Sequence, residues 1–284
     1  SCDGAGELVS CSAAAAVRPG SLSLDGVPEL TSVRPGVFSP AGFRMLASLH
    51  VKRTGLAELK AGAFEGLSNL VDLDLSSNAL SAVEPGAFLP EMESLRALNL
   101  QNNAIESLPP GAMRGLGHVE GVQLGSNAMR ELPPPPALAE LANVRLLGLG
   151  NNSIASLLPA GSFAGTPLLE GLDLTYNNLT ALPPGAFRGL GALKMLSLSG
   201  NAVAHIGEGS FQGVPGLMSC GLEHNELEDA QDVAAAVEGL NRLLELNLVG
   251  NPFTQADPCA VVRQRRPTLA ICTPRVAPPQ GADG

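Results

Sequence analysis

The sequence has no tryptophan and one tyrosine, Tyr176, in 284 residues. Large aromatics normally carry a good part of core burial, so packing here falls to aliphatic side chains, which dominate a hydrophobic content of 45%. Positive charge is scarce as well: 17 Lys and Arg stand against 27 Asp and Glu, a net charge of −10. A nucleic-acid partner requires a basic surface that tracks phosphates, and none is expected here. The one basic cluster, Arg263, Arg265, Arg266 and Arg275, reads as a solvated face of the terminal segment. No run of 18 or more apolar residues occurs, so no stretch reads as a membrane-spanning helix. The opening Ser1-Cys2-Asp3 does not read as a signal peptide, in keeping with a leader already removed.

Signatures of catalysis are missing too. There is no Gly-Lys of a phosphate loop, no His-Glu-x-x-His, no Cys-x-x-Cys and no Gly-x-Ser-x-Gly. Gly207-Glu208-Gly209 with Gly213 imitates a nucleotide loop, but no strand feeds a helix there and the glycines read as a turn. His118 and His205 read as surface residues. Neither an enzyme nor a cofactor is expected.

What is abundant is glycine (33), proline (23) and one recurring phrase, Leu-x-x-Leu-x-Leu-x-x-Asn-x-Leu. Its asparagine column is Asn78, Asn103, Asn127, Asn152, Asn177, Asn201, Asn225 and Asn251, at spacings of 25, 24, 25, 25, 24, 24 and 26. Thr54 takes the same slot one coil earlier, and Ser21-Leu22-Ser23-Leu24 reads as a degenerate opening strand, giving about ten coils. In Leu73-Asp74-Leu75 the period of two turns both leucines inward and Asp74 to water, which predicts a short parallel strand. An asparagine amide both donates and accepts, so it suits the turn that follows, where backbone groups would otherwise lack partners. A second phrase, as in Leu182-Pro183-Pro184-Gly185-Ala186-Phe187, carries Phe38, Phe64, Phe88, Phe163, Phe187 and Phe211 as an internal spine, with Met113 substituting once. Its prolines and glycines suit an irregular return. Two coils depart from it: Pro133 to Pro136 reads as stiff and extended, and Asp229 to Leu240 as a short helix.

These phrases resemble the extracellular "typical" class of leucine-rich repeats, found in Toll-like receptors, variable lymphocyte receptors, Slit proteins and small leucine-rich proteoglycans. The resemblance covers roughly residues 20 to 253. It implies an α/β solenoid: a horseshoe with a parallel sheet on its concave face, a mostly irregular convex side and capped ends. It also implies recognition of a protein, glycan or lipid through the concave face. The same scaffold serves many unrelated partners. The expected units are an amino-terminal disulfide cap (1–20), the solenoid (21–253), a carboxy-terminal disulfide cap (254–273) and a flexible tail (274–284).

A solenoid exposes a raw apolar cross-section at each end, so caps are needed. Cys2 and Cys11 flank Glu7-Leu8-Val9-Ser10, which looks like the opening strand of the family's first cap with two of its usual four cysteines. Asn251-Pro252-Phe253 resembles the start of the last cap, and Asp257-Pro258 reads as a helix start that places Cys259 to pair with Cys272. Disulfides Cys2–Cys11 and Cys259–Cys272 are therefore expected, and with them an oxidising, extracellular setting, secreted or on a cell surface. Lone Cys220 falls on a leucine position and reads as a buried small hydrophobe. Sequons at Asn151 and Asn178 fit secretion, with Asn178 the better glycan acceptor.

Function has to be sought in the outward strand positions. The first rungs are charged: Lys52, Arg53, Asp72, Asp74 and Arg96. His50 and Asp74 share a column one rung apart and are expected to form an ion pair; a metal site there would need Asp72 as a third ligand, and no metal is expected. The middle rungs are small or apolar. Leu146 and Met195 point outward on either side of Gly171, with Gly121 and Gly148 alongside. The expectation is a shallow trough with a bare-backbone floor, two apolar walls and Asp173 as its one charge. Tyr176 lies near its rim. Two functions follow: a recognition ectodomain that binds in this trough, or a rigid matrix or adhesion spacer.

Overall fold

The computed structural model describes residues 7–8, 20–157 and 161–273. An eleven-stranded, wholly parallel sheet runs the length of the molecule in chain order. Its strands are β1 (Ser21–Ser23), β2 (Ser48–His50), β3 (Asp72–Asp74), β4 (Ala97–Asn99), β5 (Gly121–Gln123), β6 (Leu146–Gly148), β7 (Gly171–Asp173), β8 (Met195–Ser197), β9 (Ser219–Gly221), β10 (Glu245–Asn247) and β11 (Ile271–Thr273). Each contributes three residues in register with the next, so the outward columns read from the repeat are real columns: Leu146, Gly171 and Met195 stand side by side, as do Gly148, Asp173 and Ser197. The middle residue of every strand points into the coil. Leu49, Leu73, Val122 and Leu246 are fully buried there, and full burial of such a side chain is worth roughly 1.5–3 kcal/mol.

After each strand the chain must leave the sheet sharply. Arg53, Ser77, Asn102, Ser126, Asn151, Tyr176 and His224 all have φ between 51 and 57°, and Gly200 and Gly250 take the same slot at 70 and 75°. That left-handed region disfavours side chains with a Cβ, so a fixed geometric demand recurs in every coil. The next residue is the ladder asparagine, and its side chain secures the turn. Asn177 Oδ1 accepts from Ile154 N–H of the preceding coil (3.0 Å), while its Nδ2 donates to Leu149 O (3.0 Å) and Leu174 O (3.1 Å). The same three bonds recur at Asn103, Asn127, Asn152, Asn201, Asn225 and Asn251. Thr54, in the same slot, donates its hydroxyl to Asn78 Oδ1 at 2.7 Å.

On the far side the six phenylalanines of the second phrase are buried, Phe64 stacking on Phe88 (5.9 Å between ring centres) and Phe187 on Phe211 (6.0 Å). The proline run differs from its expected extended form. Pro134 is extended, but Pro135 and Pro136 open a five-residue helix, α1 (Pro135–Ala139). Proline lacks only an N–H that a first helical turn leaves unbonded, and its fixed φ is already helical, so a proline pair can start a helix as readily as extend a chain. A second helix, α2 (Ala230–Val237), is capped by Asp229, which accepts from Gln231 N–H at 2.8 Å.

At the carboxy-terminal end α3 (Pro258–Arg265) is capped by Asp257. Cys259 on this helix is bonded to Cys272, which occupies the inward position of β11, with Cα atoms 5.8 Å apart. The capping segment thus lends the sheet its last strand. Arg266 departs from the solvated face expected of the basic cluster. It is only 6% exposed and donates to Asn241 Oδ1 (3.1 Å); α3 ends at this residue with φ −129°, so it does not continue the exposed face that carries Arg263 and Arg265. At the other end Glu7–Leu8 pairs with Ser32–Val33 in a separate two-stranded sheet and does not extend the main one. The Cys2–Cys11 pair, Val9-Ser10 and the tail 274–284 lie outside the described residues. Cys220 is a free, buried thiol on β9, and burial together with the Glu223 carboxylate pushes its pKa up to about 12.

Candidate functional site

The middle strands bring the expected trough residues together, with one difference in its floor. Leu146 and Met195 are 47% and 51% exposed, large fractions for aliphatic side chains on a sheet. They do not stand as walls beside open backbone. A Cβ on Gly171 would lie 2.8 Å from Leu146 Cδ2 and 3.5 Å from Met195 Cε, so both side chains lean in over the glycine. Apolar side chains next to a vacant position fall into it, shedding water-exposed surface on the way. Gly148 is likewise covered, by the Gln123 amide. Gly121 is open, an added Cβ meeting nothing within 4 Å, but it lies next to Leu146 outside the lining of the depression. The resulting depression holds about 220 Å³ and is bordered by Gln123, Gly148, Asp173 and Ser197 besides the aliphatic pair.

Asp173 has a structural duty as well as an exposed charge. Its Oδ1 accepts from Thr175 N–H at 2.9 Å, closing the turn by which the chain leaves the strand. Asp74, Asn99 and Asn247 do the same for Ser76, Gln101 and Val249 in their coils. The sign of this role in the sequence is the recurrence of Asp or Asn in that column.

Tyr176 is 65% exposed at the rim and lays its ring over Gly200, where a Cβ would come within 2.6 Å of the ring. Asn151, one rung back in the same left-handed column, is exposed and donates from Nδ2 to Ser126 Oγ at 2.9 Å. Asn178 is exposed.

The charged rungs pair differently from the expected scheme. His50 Nε2 lies 3.1 Å from Asp72 Oδ2 and 3.0 Å from Ser48 Oγ, so its partner is Asp72 and not Asp74. Asp74 is already engaged: it accepts from Ser76 N–H at 3.0 Å and faces Lys52 Nζ at 3.5 Å, which also reaches Asp25 at 3.8 Å. Burial alone would raise the Asp74 pKa, but the Ser76 hydrogen bonds and the Lys52 ammonium outweigh it and hold the carboxyl below its usual range. Arg96 does not join this group. It donates to the Glu93 and Leu95 carbonyls and approaches Glu120 at 3.8 Å. It opens a column of alternating charge that the repeat pattern did not reveal: Arg96, Glu120, Arg145, Glu170, Lys194. Glu170 lies 2.5 Å from both Arg145 and Lys194, whose hydrogen bonds lower its pKa. Among the described residues no three His, Cys, Asp or Glu side chains are grouped to hold a metal.

The profile of a family described as leucine rich repeat matches residues 44–91, 93–154 and 142–203. Among solved structures, a crystal structure of a TLR13–ssRNA13 complex aligns with a TM-score of 0.73 at 24% identity. The alignment covers 89% of this chain and 36% of that one, so this chain spans little more than a third of its length. No curated protein matches the sequence.

Proposed function

The chain belongs to the leucine-rich-repeat family, and from that premise we propose that it is an extracellular recognition module that binds its partner in the middle of the strand-lined, concave face. The supporting observation is the half-exposed pair Leu146 and Met195, folded together over Gly171 within a 220 Å³ depression. Single exposed apolar residues are ordinary on any surface; two that converge over a glycine on a rigid sheet form a defined, desolvatable spot. The Cys259–Cys272 bond supports an oxidising compartment. A receptor-like ectodomain is the preferred context, with a protein, glycan or lipid as the class of partner. The aligned TLR13 structure contains ssRNA by its title. Nucleic acid is disfavoured here, since the outward strand positions from Ala97 to Ser197 carry no Lys or Arg and do carry Asp173.

The experiment is to use the chain as bait in its native secretome and to compare the parent with Leu146→Glu and Gly121→Arg. Both changes sit on open surface, so thermal stability should be kept while capture falls at least tenfold. Unchanged capture by both variants overturns the trough as the site, and a spacer role or the Asp72, Asp74 and Arg96 rungs would then take its place.

A further inference from the structure

Beside the aliphatic pair lies a second depression of about 140 Å³, which shares Gln123, Gly148 and Asp173 with the first. Its floor is made by three glycines whose vacant positions are filled by polar groups from neighbouring residues. The Gln101 amide lies over Gly125, with Nε2 3.2 Å from where a Cβ would stand. The Gln123 amide lies over Gly148, and Asp173 Oδ2 and Thr175 Oγ1 lie over Gly150 at 3.0 and 2.7 Å. The result is a polar surface with three amides (Gln101, Gln123 and Asn151), two hydroxyls (Ser126 and Thr175) and one carboxylate, and among the described residues no Lys, Arg or His lines either depression. Each amide offers a donor and an acceptor, the carboxylate only acceptors. A surface of that kind repels anions and pairs with a ligand rich in hydroxyls, which donate and accept in turn. The adjoining Leu146–Met195 spot takes an aliphatic or methyl group, and Tyr176 offers an exposed ring at the rim for a C–H face.

Resting on the recognition reading above, we propose that the ligand is a neutral oligosaccharide bearing acetamido groups: hydroxyls on the Gln101, Gln123, Asp173 and Thr175 surface, an acetamido methyl on Leu146 and Met195. Among the described residues nothing pairs with Asp173 Oδ2, and this charge disfavours sulfated, phosphorylated or sialylated chains.

The chain carries its own reporter. Tyr176 is the only tyrosine and there is no tryptophan, so tyrosine emission arises from the rim of the site alone. The test is to titrate the protein with tri-N-acetylchitotriose, with cellotriose, which lacks the acetamido groups, and with a heparin trisaccharide. Saturable change in Tyr176 emission with the first, at least tenfold weaker with the second and absent with the third, is the expected result. Gln123→Leu should weaken it at least tenfold. Asp173→Asn should keep the fold, since an asparagine closes the same turn at Asn99, and should relax the exclusion of heparin. Silence of Tyr176 toward every neutral sugar, or a response to heparin alone, overturns the proposal. If the secretome partner is still lost in Leu146→Glu while neutral sugars stay silent, only the ligand class fails; if neither occurs, both readings fail.

Discussion

Replacing Asn177 by alanine removes four hydrogen bonds, yet these losses are unequal. Leu149 O accepts from Asn152 as well as from Asn177, Leu174 O from Asn201 as well, and Thr175 O from Asn151 N–H as well, so each carbonyl keeps one partner. Among the described residues Ile154 N–H has no other acceptor, so it would be left buried and unpaired. One orphaned donor plus three weakened acceptors costs about 2–4 kcal/mol, a large part of an ordinary domain's total stability of roughly 5–15 kcal/mol. Asn251 stands at the end of the ladder, and among the described residues Leu248 O accepts from it alone, so Asn251→Ala orphans both Leu227 N–H and Leu248 O. It should cost more than the interior change by about 1–3 kcal/mol. Urea unfolding, followed by far-ultraviolet circular dichroism, compares the two with Asn178→Ala, an exposed neighbour expected within about 0.5 kcal/mol of the parent. If Asn177→Ala unfolds at the parent's midpoint, or Asn178→Ala falls as far, the ladder is not what secures the turns.

Asp74, whose folded pKa is depressed, contributes stability that is complete above its unfolded pKa and is lost as pH falls through the folded one. Carbon-detected NMR titration should place it below ordinary carboxyls, and Lys52→Met should move it up. Cys220 should resist a thiol reagent at pH 8 in the folded protein and react on unfolding, because its pKa near 12 leaves almost no thiolate. Reducing Cys259–Cys272 should cost about 2–4 kcal/mol and speed hydrogen exchange first in α3 and β11; uniform exchange across the molecule would contradict this. Glycopeptide mass spectrometry of secreted protein should find Asn178 occupied and Asn151 free. A glycan on Asn151, which borders the polar depression, would remove that depression and Tyr176 from the site.

The solenoid was legible because ten coils repeat one demand: a leucine or asparagine column is confirmed by every other copy of itself. The turn geometry left a sign too, in glycine at 200 and 250 where other coils have Arg, Ser, Asn, Tyr or His. What the repeat does not encode is how side chains lie once they leave the sheet. It placed His50, Asp72 and Asp74 on neighbouring rungs, but the capture of Asp74 by Ser76 and Lys52, which sends His50 to Asp72, depends on local competition. It placed glycines in the trough, but not Leu146 and Met195 over Gly171, or Gln123 over Gly148. The proline run and Arg266 were misread for a related reason. Each lies where a coil departs from the pattern, and there no other copy corrects the reading.

The central claim is that recognition is made by the middle of the sheet face. It is tested most directly by measuring the affinity of one purified partner for four proteins: the parent, Leu146→Glu, the double change Asp72→Asn with Asp74→Asn, and Gln212→Glu on the opposite side. The account predicts that Leu146→Glu alone loses at least tenfold. Loss confined to the Asp72 and Asp74 variant, or to Gln212→Glu, would contradict it.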